Sequence, residues 1–380
     1  MKKRFGAKLL HSLMACLLCG ALALGACAAE SGDVRTVPGL AVIHEEEFGG
    51  AYLDMTIEDF NALGFAYGDS VDIAFSNGYR LEGVPYYNGY YTRNGDALLV
   101  AYPGYPYIKA CINNGDDLWE IAGLAEGDTA EITLSAGEAY LDIQNARALE
   151  YKDDRALFDS DAQFANFRAV RAGNIRENAL YRSASPCDNP HNRAPYVDGL
   201  IAAAGVNCIL NLSDNDEKIA RYIAAEDFHS QYFLGLYERG GVIPLALNMN
   251  FASDDFRGKI VAGFTAMAEH EGPYLVHCTE GKDRTGFVCM LLEALCGATY
   301  REIVDDYMIT YYNYYWIAEE SDPARYGVIV ENLLLPMVQS VMGEETDPAE
   351  ADLAACARQY LLDAGMDEAY VDALKAALEE

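Results

Sequence analysis

The sequence predicts an α/β domain, a central sheet flanked by helices, preceded by a small β-rich unit of barrel or sandwich form. Three observations predict it. The apolar run Tyr274-Leu275-Val276, the short segment Cys278 to Arg284 and the pattern Phe287, Val288, Met290, Leu291, Leu292, Leu295 read as strand, tight loop and helix. Residues 34–150 instead carry short alternating segments rich in Gly, Tyr, Asn and Asp. A length of 380 residues favours two domains over one.

From the N-terminus, Lys2, Lys3, Arg4 and Lys8 form a positive region, and Leu9 to Leu24 is mostly apolar but short for a membrane span. Residues 1–26 therefore read as a signal peptide of an exported protein. Leu24-Gly25-Ala26-Cys27 resembles a bacterial lipobox, which would make Cys27 the lipidated N-terminus of a cell-surface lipoprotein. The anchor would then be its one tie to a membrane. Ala26-Cys27-Ala28 also fits ordinary cleavage, which would leave the protein freely secreted.

In the β-rich unit, Val71 to Phe75 and Ala130 to Leu134 alternate like half-buried strands. Each follows a Gly-Asp pair, so that 64–76 and 123–135 look like an internal duplication. Asn77-Gly78 and Asn94-Gly95 are hairpin-turn signals. Thr56 to Leu63 reads as a short helix with Thr56 as cap and Asp59 completing it. The tyrosine clusters Tyr86 to Tyr91 and Tyr102 to Tyr107 read as strand and turn packing, with an aromatic binding face as the alternative. Residues 150–170, with Asp153-Asp154 and Asp159 to Asp161, bridge to a second domain at 160–380.

In that domain Tyr300 to Tyr315 predicts a helix with Ile303, Tyr307 and Tyr311 on one face. Beyond Asp347-Pro348, Leu353, Ala357, Tyr360 and Leu361 form one helical stripe, Gly365 breaks it, and Val371 to Leu378 forms another. Ligand loops of such a sheet lie at the carboxyl ends of its strands.

The segment after Val276 carries the chemistry. A strand–loop–helix turn aims the backbone N–H groups of Thr279, Glu280, Gly281, Lys282 and Asp283, and the positive end of a helix, at one point. A phosphate suits that point. Arg284 can grip two of its oxygens with a planar fork. Cys278, reacting as its thiolate, can attack phosphorus and take the phosphoryl group, with Arg284 and the loop amides stabilising the equatorial oxygens. Water then hydrolyses the thiophosphate. Thr285 can hydrogen-bond the departing sulfur, and His277 fixes the loop. No HExxH or paired CxxC spacing supplies a metal site, and no cofactor is implied.

His277-Cys278, five residues and Arg284-Thr285-Gly286 resemble the signature of cysteine-dependent protein tyrosine phosphatases. The inner Gly281-Lys282-Asp283-Arg284 resembles the atypical bacterial tyrosine or dual-specificity type, some of which act on phosphoinositides. Leu180-Tyr181-Arg182-Ser183-Ala184 is similar to that family's Arg-Ser segment, and Gly205 to Leu212 to its glycine-led strand. The resemblance implies a tyrosine-phosphatase-like catalytic domain over 160–380. Inositol-lipid phosphatases with a similar loop also carry lysines there, so that Lys282 suits a multiply charged head group.

An acid must protonate the leaving oxygen. The dual-specificity pattern would place it at Asn250, which cannot serve, with Asp254 and Asp255 just downstream. The atypical bacterial pattern of Asp-Leu-Arg reads here as Asn211-Leu212-Ser213, with Asp214 and Asp216 following. The order of preference is Asp214, then Asp255, then Asp283 inside the loop. Tyr181 or Phe251 would supply the aromatic wall that a phosphotyrosine pocket needs.

The chain has 27 basic and 59 acidic residues, a formal charge of −32. Removing the signal takes four basic and no acidic residues and leaves the mature form near −36. That argues against nucleic acid and anionic membranes as general partners and requires local capture of an anionic substrate. The seven cysteines outside the leader, at 111, 187, 208, 278, 289, 296 and 356, show no disulfide framework. Cys208 and Cys289 read as core residues and Cys187 as a loop thiol, with a resolving partner for Cys278 as the alternative. The readings are an exported phosphotyrosine or dual-specificity phosphatase, a phosphoinositide or inositol-phosphate phosphatase, and an inactive surface binding protein. The first two imply a phosphorylated protein or a phosphoinositide as partner.

Overall fold

The computed structural model describes residues 35–251, 253–343 and 346–379. The signal peptide and Cys27 lie outside them. Seven strands close a barrel: β1 (Thr36–His44), β2 (Ala51–Leu53), β3 (Ser70–Phe75), β4 (Arg80–Tyr87), β5 (Ala97–Val100), β6 (Ile108–Ile112) and β7 (Thr129–Ala136). Their order around the barrel is β1-β2-β6-β5-β4-β3-β7, and β7 pairs with β1. Alternation fills the interior: Val71, Ile73 and Phe75 from β3 meet Ala130 and Ile132 from β7.

The duplication seen in the sequence is a repeated helix–turn–strand unit. Asp69 accepts from Ala66 N–H at 2.8 Å and Asp128 from Ala125 N–H at 2.9 Å. Gly68 and Gly127 take φ of +96° and +95°, which an L side chain resists. The Thr56 hydroxyl caps helix Ile57–Ala62 by accepting from Asp59 N–H. One turn differs from expectation. β4 and β5 run parallel, Tyr86 opposite Leu99, so Asn94-Gly95 belongs to a crossover loop and not to a hairpin. The reason is topological: antiparallel neighbours need only a tight turn, whereas this connection must carry the chain back to the same end.

The second sheet has the order β11-β10-β12-β9-β8, from β8 (Arg168–Ala169), β9 (Leu180–Ser183), β10 (Cys208–Asn211), β11 (Val242–Pro244) and β12 (Tyr274–His277). All pairs are parallel except β8 with β9. Both faces are buried, as a parallel sheet requires. Leu180, Leu210, Tyr274 and Val276 face a core shared with helices Asp254–Ala268, Asp283–Leu295, Tyr300–Tyr315, Leu353–Asp363 and Glu368–Glu379. Tyr181, Ile209 and Leu275 face the other, against Val197, Ile201, Phe233 and Leu236. Helix Tyr300–Tyr315 spans the residues its periodicity predicts, with Thr299 and Glu302 forming a capping box.

Register puts Ser183, His277, Asn211 and Pro244 in line. The four loops that follow them therefore gather at one edge of the sheet. Barrel and second sheet belong to one compact unit running from Thr36 to the C-terminus. The Asn94 side chain donates to Met249 O at 3.0 Å, which ties the barrel's crossover loop to the loop after β11.

Candidate active site

The segment Cys278 to Lys282 joins β12 to helix Asp283–Leu295. Every carbonyl in it has a donor. His277 Nδ1–H donates to Cys278 O at 3.2 Å and Ser185 N–H to Thr279 O at 3.0 Å. Tyr314 O–H donates to Glu280 O at 2.6 Å, Arg182 to Gly281 O at 3.0 Å, and Gly286 N–H to Lys282 O at 2.8 Å. The buried Asn166 amide reaches the Glu280 and Gly281 oxygens as well. Among the described residues, the N–H groups of Thr279, Glu280, Gly281 and Lys282 have no hydrogen-bond acceptor. Fastening the carbonyls outward leaves the donors to the concave side, which is an anion cradle. Gly281 is required: its φ is +69°, and a Cβ there would sit 2.1 Å from Ser183 O.

Cys278 is buried, 3% exposed, at the start of this cradle, and Arg284 at its end donates to Leu247 O at 3.2 Å. Behind the loop, Arg182 and Arg168 share the Asp306 carboxylate at 2.5 and 2.8 Å. Burial opposes the ionised form of Asp306, yet the two guanidiniums hold its pKa far below the usual range. Glu293 lies against Asp306 in the same buried cluster, and burial followed by that charge keeps it protonated.

Several expected roles change. Lys282 does not reach into the cradle: its ammonium is buried against Tyr151 and Tyr315 hydroxyls at 3.1 and 3.3 Å and against Glu280 at 3.3 Å. Burial opposes the charge of Glu280, but His191, Lys282 and Tyr151 push its pKa down to about 2. The Glu280 and Lys282 side chains thus brace the loop from outside, and only their N–H groups face the cradle. The Thr285 hydroxyl is buried and has no partner among the described residues, so the expected bond to the cysteine sulfur is not formed. His277 is fully buried, and burial with the nearby Arg284 charge pushes its pKa down to about 4, against the pull of Asp214. It is neutral and structural. Tyr181 is buried, stacked on Phe167, and does not wall the site.

The proposed acids fall in different places. Asp255 is exposed on the first turn of helix Asp254–Ala268 with Lys259 at 2.9 Å. Asp283 is half-buried, faces a cleft beside the loop and lies 3.8 Å from Lys282. Asp214 is buried in the loop after β10, on a turn held by Asn211, whose side-chain oxygen accepts from Ser213 and Asp214 N–H groups. Asp214 accepts from Ser213 Oγ at 3.0 Å.

Asp188 was missed. It lies in the loop after β9, half-buried, facing the Thr279 hydroxyl and within the field of Asp214. Burial first, and the Asp214 charge second, raise its pKa above the usual carboxylate value. In sequence it is one more loop acid in Ser185-Pro186-Cys187-Asp188; only the alignment of β9 beside β12 brings it to the cradle. Cys187 next to it is buried, with its thiol pKa pushed up to about 12.

The model of a tyrosine phosphatase family matches residues 163–380. Solved structures include an uncharacterized conserved protein from Thermotoga maritima, at 18% identity and a TM-score of 0.22, covering 26% of this chain and 35% of that one. The chain thus spans about a third of that protein. The core catalytic domain of the PP-IP phosphatase SIW14 from S. cerevisiae, in complex with citrate, matches at 21% identity and a TM-score of 0.26, covering 38% of this chain and 75% of that one. P. aeruginosa TpbA in complex with phosphotyrosine matches at 17% identity and a TM-score of 0.25, covering 56% and 94%. No curated protein sequence matches.

Proposed function

The chain belongs to the tyrosine phosphatase family and is a phosphatase, and from that premise we propose that it is an exported phosphomonoesterase working through a phosphocysteine. The observation that carries this reading is the loop of outward-fastened carbonyls, with four free N–H groups between Cys278 and Arg284. Cys278 thiolate attacks phosphorus as the P–O bond breaks. The loop amides and Arg284 hold the three equatorial oxygens. Asp188, its pKa raised by burial and by the Asp214 charge, gives its proton to the leaving oxygen. Water then attacks the thiophosphate, Asp188 takes its proton, the P–S bond breaks and inorganic phosphate leaves. Asp214 is a positioning residue in this scheme, since its charge raises the pKa of Asp188.

The substrate reading is phosphotyrosine, with dual specificity as its extension. Phe251, stacked on Phe287 at 4.8 Å and lining the same cleft as Asp283, supplies an aromatic wall. An inositol-phosphate reading is favoured by a different observation, the two arginines treated below. The basic leader and Cys27 support export with a lipid anchor at the cell surface.

The test is phosphate release by the reduced mature protein from a phosphotyrosine peptide and from an inositol phosphate panel. The Asp188→Asn variant is expected to lose about a hundredfold in kcat on the peptide. It should lose far less on para-nitrophenyl phosphate, whose leaving group needs no proton. The wild-type rate should fall as pH rises through the elevated Asp188 pKa, and that limb should vanish in the variant. Equal losses on both substrates would remove Asp188 from the acid role.

A further inference from the structure

A cleft of about 440 Å³ lies between the barrel and the second domain, beside the phosphate loop. Asp283, the residue before Arg284, lines one wall. Met249 and Phe251 line another, and they follow Leu247, whose carbonyl Arg284 grips. Both walls therefore continue directly from residues tied to Arg284, its chain neighbour Asp283 and its hydrogen-bond partner Leu247. The barrel supplies the opposite wall, including Arg93 and Arg147.

The chain carries 59 acidic residues to 27 basic, so two guanidiniums on one wall make this cleft a locally cationic place in an acidic protein. Among the described residues neither Arg93 nor Arg147 makes an ion pair. Arg147 lies over the Tyr91 ring at 5.2 Å, which steers the guanidinium while leaving its donors unused. Among the described residues the one carboxylate lining the cleft is Asp283, and it has Lys282 beside it. The wall is further provided with the carboxamides of Asn94, Asn113 and Asn114, which suit hydroxyls. Asn94 is fixed by its bonds to Met249 O and to Asn114, so the wall is held against the loop.

We propose that the barrel completes the substrate site: Arg93 and Arg147 bind a second phosphate of the substrate whose first phosphate sits in the loop. The ligand is a small polyol carrying two or more phosphates. A cleft of this volume takes a compact molecule. Guanidinium forks match phosphate oxygens in pairs, and the carboxamides match the hydroxyls between them. This rests on the phosphate-loop reading above and gives the barrel its role.

The experiment compares the wild type with Arg93→Gln/Arg147→Gln on three substrates: an inositol trisphosphate, para-nitrophenyl phosphate and an acidic phosphotyrosine peptide. Glutamine keeps much of the length that covers Tyr91 and removes the charge. Loss of two charge-assisted phosphate contacts should lower kcat/KM for the trisphosphate about ten- to hundredfold. The nitrophenyl ester should change less than about twofold, because it presents no second phosphate. An unchanged trisphosphate rate overturns the proposal, and so does an equal loss on all substrates. A loss confined to the peptide assigns the cleft to acidic peptides and overturns the polyol. Binding of inositol hexakisphosphate to the Cys278→Ser protein gives a readout without turnover. Saturable binding weakened by the two substitutions supports the cleft even if the phosphatase reading fails, and binding indifferent to them sinks the cleft alone.

Discussion

Replacing Cys278 with serine is expected to lower phosphate release roughly ten-thousandfold or more, as removal of a covalent nucleophile does elsewhere. The reason is local. Cys278 begins the loop whose N–H groups converge on one point, and no other cysteine among the described residues opens such a cradle. Cys187 is buried with its thiol held protonated, and Cys289 lies inside helix Asp283–Leu295 with its pKa raised further by burial. Phosphate binding should survive, because the fastened carbonyls do not involve the sulfur. Equilibrium binding of inorganic phosphate to the variant, beside turnover of the wild type under reductant, separates the two properties. Turnover within about tenfold of the wild type would assign the nucleophile elsewhere.

The second large effect lies behind the site. Asp306→Ala removes the carboxylate shared by Arg168 and Arg182 and leaves two buried guanidiniums without their counter-charge. Breaking such a buried pair costs about 3–5 kcal/mol. Glu293→Gln, in the same cluster, is expected to cost under about 1 kcal/mol, since a protonated carboxyl and a carboxamide are both neutral and similar in shape. Denaturant midpoints of the two variants are the check, and similar losses would mean that Glu293 is ionised. Activity should also fall in Asp306→Ala, because Arg182 holds Gly281 O.

Much of this was legible in the residues. The order strand, loop, helix around Cys278 followed from apolar periodicity and the placement of Gly281 and Arg284. Helix Tyr300–Tyr315 and the Thr56 cap followed from local spacing. What stayed hidden depends on long-range register. Asp188 becomes an acid candidate only because β9 lies beside β12. Lys282 reads as a phosphate ligand until its stem is seen turning back to Tyr151 and Tyr315. Asn94-Gly95 has the composition of a hairpin, but pairing partners far along the chain decide whether the flanking strands run antiparallel.

The fastening of the loop carbonyls has a thermodynamic consequence. A flexible loop that closes on an anion loses backbone freedom at the moment of binding, on the order of 1–2 kcal/mol for each residue ordered. Here Asn166, Arg182, Ser185 and Tyr314 have already immobilised those residues in the fold. The ordering entropy is absorbed when the chain folds, so an arriving phosphate meets donors that need no reorganisation.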